Sequence, residues 1–264
     1  MKKLALVLGG GATKGYAHIG VLKVLEYNGI KPDLIVGTSM GAIIGGLYAC
    51  GKACKHLNDI SKKLNKRKLM DFNLFNFFCK TGILTGKKLK NVLNTEIGNI
   101  THDQTKIPFV ATATDIVKGK LVVLKQGKLV DNLLASSAIP GVFPLVKKDE
   151  QLLCDGGVLN NVPSDIARKL KKDYIILSID VIGDYSKQVE SSKIKIMGLT
   201  INAITLMQSE ITKLKGNNSD LHIKISQPDV NQMSFSLQDI SKSIQYGEKA
   251  MQKNIKQLKN LLQD

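Results

Sequence analysis

Arginine is nearly missing from this chain. Arg67 and Arg168 are the only two among 38 basic residues, yet the formal charge is +16. Arginine is the side chain that reads phosphates and base edges with a bidentate fork. A lysine surplus without it argues against nucleic acid as a partner. What remains is non-specific attraction to an anionic surface, or compositional bias alone. Cysteine is also scarce. Cys50, Cys54, Cys79 and Cys154 show no C-x2-C pairing of the metal-binding kind. They read as buried free thiols in a reducing compartment, which predicts a cytoplasmic protein. Long apolar runs are absent too. No stretch reaches membrane-spanning length, and the apolar run after Met1-Lys2-Lys3 is too short for a secretory signal. It reads as a first strand. Histidine is limited to His18, His56, His102 and His222, none with a recognisable catalytic motif around it.

What is present is organised around Gly37-Thr38-Ser39-Met40-Gly41. Leu34-Ile35-Val36 before it reads as a buried strand, and Ala42 to Ala49 after it has helical spacing. A serine between glycines at a strand-to-helix turn fits the nucleophile elbow, G-x-S-x-G. The turn is sharp, so the hydroxyl projects above the sheet. Gly37 and Gly41 must be small because strand and helix pass in contact there. The helix N-terminus behind Ser39 favours developing negative charge.

A second glycine-rich stretch, Gly9-Gly10-Gly11-Ala12-Thr13-Lys14-Gly15, follows the first strand. A dinucleotide fingerprint fails because Lys14 occupies the third glycine position. A Walker A loop fails because Lys14 precedes Gly15 and Tyr16 follows. An oxyanion hole remains, since consecutive glycines let N–H groups converge on one oxygen. Adjacent first and second strands would set this loop beside the elbow.

Strand, loop, helix, strand, elbow and helix in 50 residues predict an α/β domain with a mostly parallel sheet. Further strands are expected at Phe109–Thr114, Leu121–Leu124, Leu152–Cys154, Tyr174–Ile179 and around Leu221–Ile225. Helices are expected over 16–27, 86–97, 129–137, 162–170, 194–214 and 237–262. The length suits one domain spanning 1–264. Residues 183–264 carry no motif.

An elbow serine needs a base. Asp155 ends an apolar strand and is followed by Gly156 and Gly157, which leave room around the carboxylate. Asp-Gly also favours a plain turn, so the orphan nucleophile decides the reading.

These residues resemble a known family. Gly9-Gly10-Gly11-x-x-Lys14-Gly15, Gly37-x-Ser39-x-Gly41 and Asp155-Gly156-Gly157 are similar to the three motifs of patatin-like phospholipases. Ala17 to Leu22, Ala138 to Pro144 and Asp155 to Pro163 look like the bacterial members. The resemblance covers about residues 4–180. It implies a three-layer α/β sandwich and a Ser39–Asp155 dyad that cleaves lipid carboxylic esters without metal or other cofactor. The Gly9–Gly11 loop, with Lys14 and Gly15, would form the oxyanion hole. Lys14 stands where many relatives have arginine, and Gly157 where many have alanine.

Residues 52–90 stand apart. Eleven basic side chains there face only Asp59 and Asp71, and Phe72, Phe75, Phe77 and Phe78 lie among them. Basic plus aromatic suits contact with an anionic membrane, or a lid over an acyl site; a solvated basic helix beside a small satellite core fits equally. The rival reading of the whole chain is a non-catalytic nucleotide- or nucleic-acid-binding α/β protein. It rests on the glycine loop and the charge.

Overall fold

The computed structural model describes residues 2–64, 82, 84–183, 196–215 and 218–263. The first strand, β1 (Leu4–Leu8), is buried along its whole length. Leu4, Leu6 and Leu8 face one apolar layer, Ala5 and Val7 another. A strand apolar on both sides belongs inside a sheet covered on both faces. Accordingly β2 (Leu34–Thr38) pairs with it in parallel on one edge and β7 (Ile175–Asp180) on the other. The strands expected to be neighbours from their short connection are neighbours.

The sheet has eight strands in the order β5-β6-β3-β2-β1-β7-β8, with β4 also on β3. Here β3 is Phe109–Asp115, β4 Lys120–Leu124, β5 Val146–Lys148, β6 Gln151–Asp155 and β8 Leu221–Lys224. The pairings β1–β2, β1–β7, β2–β3 and β7–β8 are parallel; β3–β4, β3–β6 and β5–β6 are antiparallel. The sheet is therefore parallel through its centre and antiparallel at one end. The short β5 escaped the sequence reading because two of its three residues are lysines.

One feature of the register positions the site. Residues 111–112 of β3 pair with both β2 and β4, and residues 113–115 with both β6 and β4. So β2 and β6 lie end to end along one edge of β3, running in opposite directions. Their C-terminal ends meet.

The larger apolar layer packs helices α1 (Ala17–Tyr27), α2 (Met40–Ala49), α3 (Cys54–Lys63), α4 (Lys87–Ile97), α5 (Leu129–Ser136) and α8 (Leu237–Gln263) on one face. The other face is covered by α6 (Ser164–Leu170) through Ile166 and Ala167, with Val162. The last helix has a structural job the sequence reading left open. It crosses α1 where both helices carry glycine: a Cβ on Gly20 would meet the Ile244 carbonyl, and one on Gly247 the Ala17 carbonyl. Without side chains at the crossing the two backbones touch. Among the described residues the three cysteines Cys50, Cys54 and Cys154 are free thiols, Cys50 half-buried and the others buried.

Within 52–90, the described part is α3, α4 and their flanks. Lys63 and His56 both bond the buried Glu96 at 2.7 Å. Burial alone would raise the Glu96 carboxyl, but these two partners outweigh it and hold it below its ordinary range. The four phenylalanines, Cys79 and the basic run Lys66-Arg67-Lys68 lie outside the described residues.

Candidate active site

Ser39 sits where β2 ends and α2 begins. Its backbone has φ 55° and ψ −125°, a left-handed conformation that a non-glycine residue rarely adopts. Such strain costs on the order of 1–3 kcal/mol and persists only where packing over-determines it. That packing is visible. A Cβ on Gly37 would lie 2.6 Å from the Ala42 Cα, and one on Gly41 would strike the Leu8 carbonyl. The Ser39 N–H donates to the Ser136 hydroxyl at 3.0 Å, and Thr38 and Thr112 share a hydroxyl hydrogen bond at 2.7 Å.

Asp155 reaches the elbow through the shared edge of β3. Thr38 pairs with Thr112 and Asp155 with Ala113, the next residue. The Asp155 N–H donates to the Ala138 carbonyl at 2.9 Å, and its Oδ1 accepts the Gly157 N–H at 2.8 Å. The Ser39 side chain lies near enough to this carboxylate to favour its ionised form, and both residues line one cleft. Both residues are buried, Asp155 to 3% exposure and Ser39 to 6%. Desolvation pushes the Asp155 carboxyl up to about 6, against the pull of the nearby Ser39 side chain and the Gly157 N–H. Gly156 is wedged against Thr112, where a Cβ would overlap the Thr112 carbonyl.

The glycine-rich loop runs beside them. The Gly9 N–H continues the sheet by donating to the Ile179 carbonyl at 3.0 Å. The Gly10 N–H donates to the Asn161 carbonyl at 3.2 Å. Those two N–H groups are thus bound within the fold, which narrows the expected set of oxyanion donors. Gly10 and Gly11 line the cleft over Ser39. The Gly10 carbonyl accepts from Asn161 Nδ2 at 3.1 Å, fixing the plane of the Gly10–Gly11 peptide. Gly15 packs against Met40: a Cβ there would come 2.5 Å from the Met40 Cγ. Its place is a contact between the turn Ala12–Tyr16 and the elbow helix.

Lys14 is not among the residues lining the cleft. It is 2% exposed, and burial pulls its ammonium down to about 8, with the Asp180 carboxylate opposing the shift. Its carbonyl accepts from Gln227 Nε2 at 3.0 Å and from the Ser243 hydroxyl at 2.8 Å. Lys14 therefore ties the loop to β7 and α8.

None of the four histidines is among the cleft-lining residues. His18 Nε2 bonds the Gly9 carbonyl at 2.7 Å, and burial lowers its ring to about 4, so it is neutral and donates. His102 bonds the Phe109 carbonyl, and His222 the Ser178 hydroxyl. His222 is half-buried, on the opposite side of β8 from the buried Leu221 and Ile223.

The cleft is narrow, with a cavity volume of about 30 Å³. Helix α7 (Ile196–Leu214) forms one wall with Ile201, Ile204, Thr205 and Gln208. Ile139, Pro140, Asn161 and Met233 also line the cleft. Sequence reasoning missed α7, Asn161 and Ser136 as parts of the site. The Asn160-Asn161-Val162-Pro163 run after the aspartate motif was the available signal for Asn161. Ser136 and α7 had none, since a helix apolar on several faces reads as core. Leu199, Leu206, Met207 and Leu214 of that helix are in fact exposed. Among the described residues no cluster of three potential metal ligands occurs.

An elbow serine in one cleft with a buried carboxylate, on a central sheet flanked by helices, defines an α/β elbow-serine protein. A family model for patatin-like phospholipases matches residues 6–168, and the chain belongs to that family. An NTE family protein of Mycobacterium tuberculosis is 37% identical over 161 residues, covering 61% of this chain and 44% of the relative. Human patatin-like phospholipase domain-containing protein 6 is 35% identical over 182 residues, covering 67% of this chain and 13% of the relative. The chain thus spans less than half the length of these relatives. Among solved structures, VipD from Legionella pneumophila superposes with a TM-score of 0.56 at 14% identity, over 96% of this chain and 66% of that one. Human GIVD cytosolic phospholipase A2, solved with a fluorophosphonate inhibitor, gives 0.53 at 10% identity, over 99% and 59%. At such identities the likeness is one of fold.

Proposed function

We propose that the chain is a serine acyl hydrolase that cleaves lipid carboxylic esters through a Ser39–Asp155 dyad. The observation that carries this reading is the placement of the elbow serine Ser39 in one cleft with a buried carboxylate, that of Asp155, raised to about 6. An ordinary aspartate near 3.9 is a weak base; one near 6 is matched to proton transfer at neutral pH. Asp155 takes the Ser39 proton as Oγ attacks the ester carbonyl. The tetrahedral oxyanion is held by the Gly11 N–H, whose peptide plane Asn161 fixes, and by the first N–H groups of α2. Asp155 then returns the proton to the leaving alcohol. The apolar side chains of Ile139, Pro140, Ile201, Ile204 and Met233 suit an acyl chain.

The reading extends to the bacterial type of the family, favoured by the spelling of the motifs, although the relatives include both bacterial and animal proteins. It takes residues 1–264 as one patatin-like domain with the family's three layers. The sheet path that includes β8, and the contact of α8 with α1, support that extent. It also takes the protein as cytoplasmic, meeting anionic membrane through residues 52–90. The experiment is labelling by a serine-reactive fluorophosphonate, followed by peptide mapping and turnover of a lipid ester panel. Label on Ser39 with release of fatty acid supports the reading. Salt-sensitive DNA binding by a chain that neither labels nor hydrolyses would favour the rival instead.

A further inference from the structure

The space over Gly157 is walled by three polar atoms. A methyl group on Gly157 would stand 2.5 Å from Gln208 Nε2, 3.0 Å from Asn161 Oδ1 and 3.1 Å from Asp155 Oδ1. These atoms come from three separate segments: α7, the loop before α6 and the end of β6. Asn161 is 2% exposed, and its Oδ1 is buried with no hydrogen-bond partner. A buried acceptor left unpaired costs about 1–3 kcal/mol, so it points to a ligand. Its amide orientation is fixed, because Nδ2 must face the Gly10 carbonyl, which only accepts. The same Oδ1 lies 2.6 Å from where a Gly10 Cβ would stand, and that point is 3.0 Å from the Ser39 Cβ. The pocket of polar atoms is therefore next to the nucleophile.

We propose that Gln208, Asn161 and Asp155 hold the water that hydrolyses the acyl-enzyme. The proposal rests on the reading that Ser39 is acylated. The chemistry of the three atoms matches one water. Gln208 Nε2 donates to its oxygen, Asn161 Oδ1 accepts one hydrogen and Asp155 Oδ1 the other. One lone pair is left for attack. In the step, the Asp155 carboxylate takes one proton from the water as its oxygen bonds to the acyl carbon. The carbon–Oγ bond then breaks, and Oγ takes the proton back from Asp155. The products are a free fatty acid and Ser39, with no further reactant. Gly157 is needed because a Cβ there would crowd all three atoms and push them apart.

Gln208 is the residue to change, because it is half-buried on a helix wall and does not support the glycine loop. Gln208→Met keeps size and helix propensity. With a short-chain p-nitrophenyl ester, the variant is expected to keep its burst of nitrophenol. Steady turnover should fall roughly 10- to 100-fold, the effect of one lost hydrogen bond in the transition state. Intact-protein mass spectrometry should find acyl-Ser39 accumulating. Fluorophosphonate labelling, which needs no water, should proceed at the wild-type rate. Wild-type turnover without accumulation overturns the proposal. A diminished burst without accumulation also overturns it, and assigns the three atoms to the leaving alcohol. Failure of the wild type itself to label at Ser39 is a different result, and removes the dyad reading beneath it.

Discussion

Ser39 and Asp155 come from strands that share one edge of β3, end to end. Thr38 pairs with Thr112 and Asp155 with Ala113, and the Ser39 and Asp155 side chains line one cleft. In a purely parallel sheet a catalytic partner arrives from the end of an adjacent strand. Here β6 arrives from the opposite direction and stops against the elbow. The carboxylate is thereby buried beside the elbow, and that burial raises it.

The raised carboxyl sets a pH dependence. Asp155 acts as base only when ionised, and in the fold it ionises at about 6 rather than 3.8. The kcat/KM for a soluble ester should therefore climb tenfold per unit below pH 6 and level off above it. The stability effect has the opposite sense. Between 3.8 and 6 the folded chain holds a proton that the unfolded chain has lost, so stability falls as pH rises through that window. Asp155→Asn should lose activity and yet show a higher Tm than wild type at pH 7.5. A limb near 4 would mean the carboxylate is not desolvated.

Ser136 holds the elbow by accepting the Ser39 N–H. Ser136→Ala leaves that buried donor unpaired, at a cost of about 1–3 kcal/mol. Denaturant unfolding should show a loss of that size, and turnover should drop roughly tenfold as the strained turn relaxes. Unchanged stability would mean that water replaces the hydroxyl.

The contact of α1 with α8 is tested by Gly247→Ala. Its Cβ would overlap the Ala17 carbonyl, so the helices must part. Thermal unfolding should show a loss of several degrees, on the order of 2 kcal/mol. Because Ser243 on α8 bonds the Lys14 carbonyl, activity should fall as well. A variant as stable as wild type would place α8 outside the folding unit.

Membrane contact through 52–90 has two parts. Lysines near an anionic surface contribute about 1 kcal/mol each, and salt screens them. Inserted aromatic rings add burial that salt does not screen. Replacing Lys66, Arg67 and Lys68 with Gln should weaken binding to anionic vesicles and spare hydrolysis of a short-chain ester. Phe77 and Phe78 to Ser should remove the salt-resistant part. Equal binding to neutral and anionic vesicles, unaltered by the triple change, rules the contact out.

Much of this was legible in the sequence, for physical reasons. Glycines at 37 and 41 are demanded by contact between consecutive elements, so the elbow reads locally. Leu4 to Leu8 is apolar on both faces, which announces a central strand. Asp155 could be found because an elbow serine needs a base. Its direction of approach could not, because the pairing of β6 with β3 joins residues some 40 apart in sequence. Lys14 was grouped with the oxyanion loop by its place in the chain. Its surroundings, Asp180, Gln227 and Ser243, come from distant segments that no local pattern reports. For the same reason the helix expected over 194–214 carried no site assignment.

The most direct test is turnover of a lipid ester by Ser39→Ala, Asp155→Asn and the double variant, each checked for folding. Each single change should cost on the order of 10³-fold or more, and the double change little beyond that, because the pair acts as a unit. Replacing His56, His102 or His222 should leave most activity, and so should exhaustive EDTA treatment. Full hydrolysis by Ser39→Ala, or a loss of activity that follows a histidine instead, would contradict the dyad.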